Sequence, residues 1–491
     1  MSFIILLKIY GKYYTRDKAY SDDVYAKLYC ECRSRKSTLE GESDMVRKVY
    51  NILDYGAVAD GVTNNAATIQ KAIDEATIHG GQVVVPAGNY LSGTIILKSN
   101  IDFHLEMGAV LISSLKEEDI LDFAKLFEDD NQTTGWDGGC FIFACHEENI
   151  TISGQGTIYG QGDKVFFDDN ADNGAHECPL NVSAFRPRTT FLEDVTNLTV
   201  KDITIRDAAF WTLHMAGCRH VLVKDIKILN DIRGANNDGI DPDCCQDVMI
   251  SGCLVKTGDD AIVVKATKPM SQKYGACENI VINNCILYSR DSGLKIGTET
   301  HGDIRNVMLS DCVIKECSRG VGIWVRDGAT IEDIHVHHVT GSVLKYADGE
   351  RSEGPTMWWG NGEPIFINAT YRNENRNYPG KIRNITFDHI YMKAESSVFL
   401  AGEEDARIEN ITISNLEVTM CSQGTQNSGF FDEQPSLRHV YPHSIPAVYA
   451  RSVDGLRVSG RVRYEGPYHI SKNKLYESED CTMEEVNLKE R

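Results

Sequence analysis

The sequence predicts an all-β fold, a parallel β-helix closed at its N-terminal end by one short helix. Three observations predict it. First, a single phrase recurs four times between Asn236 and Arg326. The copies are Asn237-Asp238-Gly239-Ile240-Asp241-Pro242, Asp259-Asp260-Ala261-Ile262-Val263-Val264, Asp291-Ser292-Gly293-Leu294-Lys295-Ile296 and Gly320-Val321-Gly322-Ile323-Trp324-Val325. Aligned on the small residue, they step by 22, 32 and 29 residues (239 to 261, 261 to 293, 293 to 322). One apolar strand per repeat of this size marks a solenoid. Second, short alternating strands that end in Asn, Asp or Gly recur from Asn149 to Gly460. Third, no helical period separates them, so they cannot be βαβ units. A β-propeller, the rival, needs four strands in about 45 residues.

Taken in order, residues 1–45 are rich in Tyr, Lys and Asp, without a clear period. They read as an extension, poorly ordered or lying ahead of a true start at Met45. Residues 46–491 read as a single β-helix domain. Asn51 to Val62 is a strand-and-turn unit. Asn65 to His79 has helical spacing, with Ile69, Ala72, Ile73 and Ala76 on one face and a Gly80-Gly81 stop. A lone helix ahead of many strands suits a cap over the open solenoid end. The strand template then appears at Asn149, Asn197, Val221, Val248, Ile280, Asn306, Ile334, Asn384, Asn410 and Leu456. Period-two alternation turns one face of each strand inward. Two insertions, Ser113–Cys140 and Tyr346–Asn361, break the rhythm, and long loops on a solenoid usually wall a cleft.

The formal charge of −21 argues against nucleic acid, which needs a basic surface. A polyanionic substrate would need local Lys or Arg to be held. No apolar run reaches the roughly 18 residues of a membrane span. The apolar run after Met1 is too short for a secretory signal. The 15 cysteines are odd in number and form no C-x-x-C pair. Cys253, Cys285 and Cys312 each follow a strand start by five residues, which reads as a stack of small core residues. Together these predict a reducing, cytoplasmic setting, with no cofactor and no metal. The Asn-x-Ser/Thr sequons at Asn149, Asn197, Asn384 and Asn410 read as turn asparagines before strands.

In a parallel coil, equivalent residues of successive turns lie about 4.8 Å apart. Asp238 should therefore stack on Asp260, with Asp259 beside them. Three carboxylates that close are costly unless they do chemistry. Singly, each is as well explained as a turn cap.

These residues resemble glycoside hydrolase family 28, the polygalacturonase family, over about residues 49–420. The resemblance rests on Asp54-Tyr55-Gly56-Ala57-Val58-Ala59-Asp60-Gly61-Val62, Asn236-Asn237-Asp238-Gly239-Ile240-Asp241 and Gly258-Asp259-Asp260-Ala261-Ile262. Arg186-Pro187-Arg188, Trp211-Thr212-Leu213-His214 and Gly362-Glu363-Pro364-Ile365 support it. It implies a right-handed parallel β-helix that hydrolyses glycosidic bonds with inversion, acting on a pectin-type, uronate-containing glycan. It implies Asp259 as general acid, with Asp238 and Asp260 holding and activating the water. Inversion needs an acid on one side of the bond and a base that leaves room for water.

Two departures stand out. The family's Gly-His-Gly is Asp291-Ser292-Gly293 here, so the histidine is lost. The family's Arg-Ile-Lys, one coil on, aligns with Trp324-Val325-Arg326. The repeat alignment places Val263, Lys295 and Trp324 in one outward column and Lys265, Gly297 and Arg326 in the next. Lys295 and Arg326 would then together bind a substrate carboxylate, or simply be solvated. Trp324 would stack on a sugar, or lie under the second insertion with Trp358 and Trp359. His214, Glu363 and Arg372 are further cleft candidates, and Arg186 and Arg188 are cleft walls or braces. A lyase or epimerase on the same scaffold, and a non-catalytic glycan-binding β-helix, are the competing readings. An acidic enzyme with cleft-walling insertions leans toward exo action on oligosaccharides.

Overall fold

The computed structural model describes residues 48–122, 139–168, 179–182, 185–346, 360–424, 428–465, 474–476, 481–483 and 487–490. Residues 1–45, Trp358, Trp359 and most of both insertions lie outside these. The described residues belong to one compact unit, Arg47–Arg491. They coil as a right-handed parallel β-helix, the hand expected of parallel crossovers.

The helix, α1, spans Ala66–His79 and buries the four residues its spacing selects, Ile69, Ala72, Ile73 and Ala76. Asn65 ties its start to the first coil, donating from Nδ2 to the carbonyls of Val58, Thr63 and Leu91.

Turns repeat as strictly as strands. Asn149, Asn197, Asn279, Asn306, Asn384 and Asn410 all sit at φ between 55° and 61°. Asn and Asp tolerate this left-handed region because their short polar side chains bond locally. Here they form a ladder. Asn149 donates to Asn100, Asn197 to Asn149, Asn306 to Asn279 and Asn410 to Asn384. The four sequon asparagines are therefore left-handed bends near the starts of their strands. Cys253, Cys285 and Cys312 stack in register inside the coil. The twelve described cysteines are all free.

One sheet of 13 described strands carries the repeated phrases. Its central strands are β1 Arg188–Glu193, β2 Leu213–Ala216, β3 Ile240–Asp243, β4 Ile262–Ala266, β5 Ser292–Thr300, β6 Arg319–Val325 and β7 Glu363–Ala369. Ile240 pairs with Ile262, and Ile262 with Leu294, as the alignment predicts. Leu294 then pairs with Val321, not Ile323. The fourth phrase is thus displaced by two residues, and the small residue of its column is Gly320. The inward column Ile240, Ile262, Leu294, Val321 and Ile365 is buried throughout, each side chain contributing about 1.5–3 kcal/mol.

This shift corrects both outward columns. The first reads Asp241, Val263, Lys295, Gly322 and Phe366. Arg326 shares no column with Lys265. In the corrected register the family's Arg-Ile-Lys falls on Gly322-Ile323-Trp324. A Cβ on Gly322 would lie 2.1 Å from the Trp324 ring. The indole fills the space that a side chain at 322 would occupy.

Candidate active site

The outward column that contains Lys295 is aromatic at both ends. Phe143, Phe191 and His214 precede Asp241, and Phe366, Phe399 and Tyr449 follow Gly322. Phe366 and Phe399 stack at 4.9 Å, and Phe399 and Tyr449 at 5.1 Å. Between Phe143 and Tyr449, charge enters this ladder at Asp241 and Lys295. The neighbouring column runs Arg188, Trp211, Asp238, Asp260, Ser292, Arg319 and Glu363. Its centre is the acidic trio.

Asp238, Asp259 and Asp260 each present an oxygen within 4.8 Å of the other two. The turn that delivers them is built by Asn237. Its Oδ1 accepts from the N–H of Gly258 (2.8 Å) and of Asp259 (3.1 Å), and its Nδ2 donates to Asp231 O (2.8 Å). One side chain thereby joins the Asp238 loop to the Asp259 loop. Gly258 is required there, because a Cβ would lie 2.3 Å from Gly234 O.

Asp259 is the partly exposed member of the trio. Its Oδ1 accepts from Asp260 N–H (2.9 Å) and its Oδ2 from Asn236 N–H (3.2 Å). Burial, then the charges of Asp238 and Asp291, push its carboxyl up to about 7. Asp260 is buried and also raised, chiefly by burial, with Lys295 opposing. Asp238 is anchored at Oδ2 by Lys265 (2.8 Å). Its Oδ1 is buried with no hydrogen-bond partner among the described residues. The oxygen spacing of the trio would suit a metal ion, but Lys265 and Lys295 already provide the compensating positive charge.

The other predicted residues divide. Lys295 is in the site, 2.9 Å from Asp260 and 3.7 Å from Asp291. Trp324 is buried, its ring 4.9 Å from Phe366 and 5.3 Å from Lys295 Nζ. Glu363 is fully buried two coils beyond Ser292, where burial raises it to about 7 against the pull of Arg319.

Arg326 is not beside Lys295 as a free cation. It is buried and donates to the carbonyls of Pro435, Val325, Asn368 and Glu433, and to Asn368 Oδ1. Arg372 is paired with Asp327 (2.7 Å) and donates to Thr298 O. His214 is fully buried between Phe191 (4.8 Å) and Trp211 (4.9 Å), with Nε2 3.3 Å from Asp243 Oδ2. Burial lowers it to about 4, so it is neutral and supports the floor under Trp211. Arg186 braces the Asp238 loop from Ala235 O (2.6 Å) and Asn236 Oδ1 (2.7 Å).

Four contributors escaped the sequence reading. Asn237 and Asp241 lay inside the recognised phrase but were passed over for its aspartate at 238. Arg319 was hidden by the two-residue register error. The step from Asn279 to Asn306 on the adjoining strands is 27 residues, and applying it to Gly293 would have found Gly320. The fourth is the segment around the antiparallel pair Phe430–Asp432 and Val440–Pro442. It crosses the sheet, accepting from Arg319 at Asp432 O (2.8 Å) and from Arg451 at both oxygens of Glu433 (2.9 Å).

The chain has recognisable relatives among known proteins. The profile of Glycosyl hydrolases family 28 matches residues 76–429. A probable polygalacturonase of Vitis vinifera is 28% identical over 60% of this chain and 61% of its own length. An exo-poly-alpha-D-galacturonosidase of Dickeya chrysanthemi is 26% identical over 58% of this chain and 53% of its own. The matched part is thus under two thirds of either relative. The solved family 28 exopolygalacturonase of Yersinia enterocolitica superposes with a TM-score of 0.67 at 17% identity, covering 89% of this chain and 78% of that one.

Proposed function

Because the chain belongs to glycosyl hydrolases family 28, we propose that it hydrolyses glycosidic bonds in a pectin-type, uronate-containing glycan, with inversion and in exo mode. The observation that carries the reading is the trio. It joins a partly exposed carboxyl raised to about 7 to a second carboxylate with one anchored oxygen and one buried, unpaired oxygen. A carboxyl at about 7 is protonated through the acidic range and can protonate the leaving oxygen. Asp238, held by Lys265, offers Oδ1 to a water, and Asp260 completes its cradle.

In the reaction the C–O bond breaks as Asp259 gives its proton to the leaving oxygen. Water attacks the opposite face of the anomeric carbon and loses its proton to the carboxylate pair. The oxygen spacing within the trio is shorter than the roughly 6.5–9.5 Å of a usual inverting pair. The water must then lie at the side of the cluster, held by two carboxylates, rather than between two opposed ones.

Exo action is supported by the activity named for the Dickeya relative. It is also supported by the 430–442 segment, which accepts a hydrogen bond from Arg319 two coils beyond Asp260. The test is a product screen on polygalacturonate, rhamnogalacturonan and their short oligomers, read by chromatography and by NMR of the first-formed anomer. Release of single terminal units with the anomeric configuration reversed is expected. Retained configuration, an unsaturated product or a ladder of mid-chain fragments would refute inversion, hydrolysis or exo mode respectively.

A further inference from the structure

The two ammonium groups of the site are held alike. Lys265 Nζ is 2.8 Å from Asp238 Oδ2, 3.2 Å from Asp241 Oδ1 and 3.6 Å from the centre of the Trp211 ring. Lys295 Nζ is 2.9 Å from Asp260 Oδ2, 3.7 Å from Asp291 Oδ2 and 5.3 Å from the centre of the Trp324 ring. Each lysine rises from the coil after the aspartate it meets. Each is less than a tenth exposed. Each lies within ion-pair distance of two carboxylates and against one indole.

We propose that Lys265 and Lys295 are positioning residues that hold Asp238 and Asp260 as the ionised pair of the reaction, and not cations that bind a substrate carboxylate. This rests on the trio being catalytic, as argued above.

The phrase Asp291-Ser292-Gly293-Leu294-Lys295 is built for the role. Asp291 Oδ1 accepts from Ser292 Oγ (2.9 Å), while its other oxygen faces Lys295. Ser292 N–H points at Asp260 Oδ1 (3.4 Å) as Lys295 takes Oδ2. Both oxygens of Asp260 are therefore oriented from one turn, in the coil where the family's histidine is lost. Trp324 reaches Lys295 only because residue 322 is glycine.

Charge placement explains why two clamps are needed. Three adjacent carboxylates cannot all ionise without large repulsion. An ammonium within ion-pair distance favours ionisation of the carboxylate it touches. Asp238 and Asp260 each have one; Asp259 has no ion pair among the described residues. The lysines thus oppose the burial that raises Asp260 and favour leaving the acid's proton on the exposed member. The groups facing Lys295 are Asp259, Asp260, Asp291 and the Trp324 ring. Those facing Asp260 are Asp238, Asp259, Asp291 and Lys295.

The test is Lys295→Met, with Lys295→Arg beside it, in two independent assays. With an acidic glycan and its carboxyl-reduced form, Lys295→Met is expected to lower kcat about tenfold or more on both, with KM within about threefold. Lys295→Arg should recover part of the rate. A rise in KM confined to the acidic substrate, with kcat intact, would overturn the proposal. The second assay needs no turnover. Lys295→Met should lose more thermal stability at pH 8 than at pH 5, because unpaired Asp260 is neutralised by a proton at the lower pH. Adding Asp260→Asn should abolish that difference. A stability loss independent of pH would overturn the clamp. If the melting pattern holds but wild type cleaves no glycan, the functional reading fails while the clamp stands.

Discussion

Replacing Asp259 with Asn separates two consequences of its position, one on rate and one on stability, with opposite signs. The carboxyl sits at about 7 in the folded protein against an ordinary value of 3.8. The folded state therefore holds its proton more tightly than the unfolded chain between about pH 4 and pH 7. The stability this contributes is complete below about pH 4 and is lost as pH rises through 7. That difference corresponds to at most about 4 kcal/mol, at about 1.36 kcal/mol for each tenfold in proton affinity. Partial exposure reduces that figure. The amide also keeps a single acceptor oxygen where the carboxylate takes two backbone N–H groups, and losing one such bond costs about 1 kcal/mol. A net gain of roughly 1–3 kcal/mol is expected for Asp259→Asn at pH 8, and little change at pH 4. Turnover should fall on the order of 10²–10⁴-fold, because the proton donor is gone. In the wild type, kcat should decline as pH passes above about 7. Denaturant unfolding at the two pH values, together with initial rates, tests both. A variant less stable than wild type at pH 8, or one with near-normal turnover, would refute the assignment of Asp259 as the raised, proton-donating member.

Two further substitutions test the corrected register and the reassigned arginine. Gly322→Ala places a methyl 2.1 Å from the Trp324 ring and should cost about 1–3 kcal/mol by displacing the indole; an unchanged melting temperature would show that 322 does not face that ring. Arg326→Met leaves four carbonyls and the Asn368 amide oxygen without their buried donor and should cost about 3 kcal/mol or more. KM should be affected no more for acidic than for carboxyl-reduced substrate, and a selective rise for the acidic one would restore Arg326 to the cleft.

The sequence alone determined the coil and its contents. Alternation with a left-handed Asn or Asp at each turn has one economical solution, and the ladder from Asn100 to Asn149 to Asn197 realises it. It also determined the trio, since Asp238 and Asp260 stand at the same offset from the inward residues Ile240 and Ile262. What it left open was the register of the fourth phrase. Gly320 and Gly322 are two residues apart, and a slip of two in a strand keeps every side chain on its own face. Periodicity is blind to such a slip, so Arg319 stayed hidden and Arg326 was drawn into the wrong column.

The tertiary structure decided which cations are free. Lys295, Arg326 and Arg372 are all positive charges near the repeats in the sequence. Only the fold shows Lys295 closed on Asp260, Arg326 capped by the 430–442 segment and Arg372 locked to Asp327. Those partners lie 35, 109 and 45 residues away along the chain for Lys295, Arg326 and Arg372 respectively. A strand pattern specifies the face on which a charge emerges, and the partner that meets it is set by how distant coils and loops close over that face.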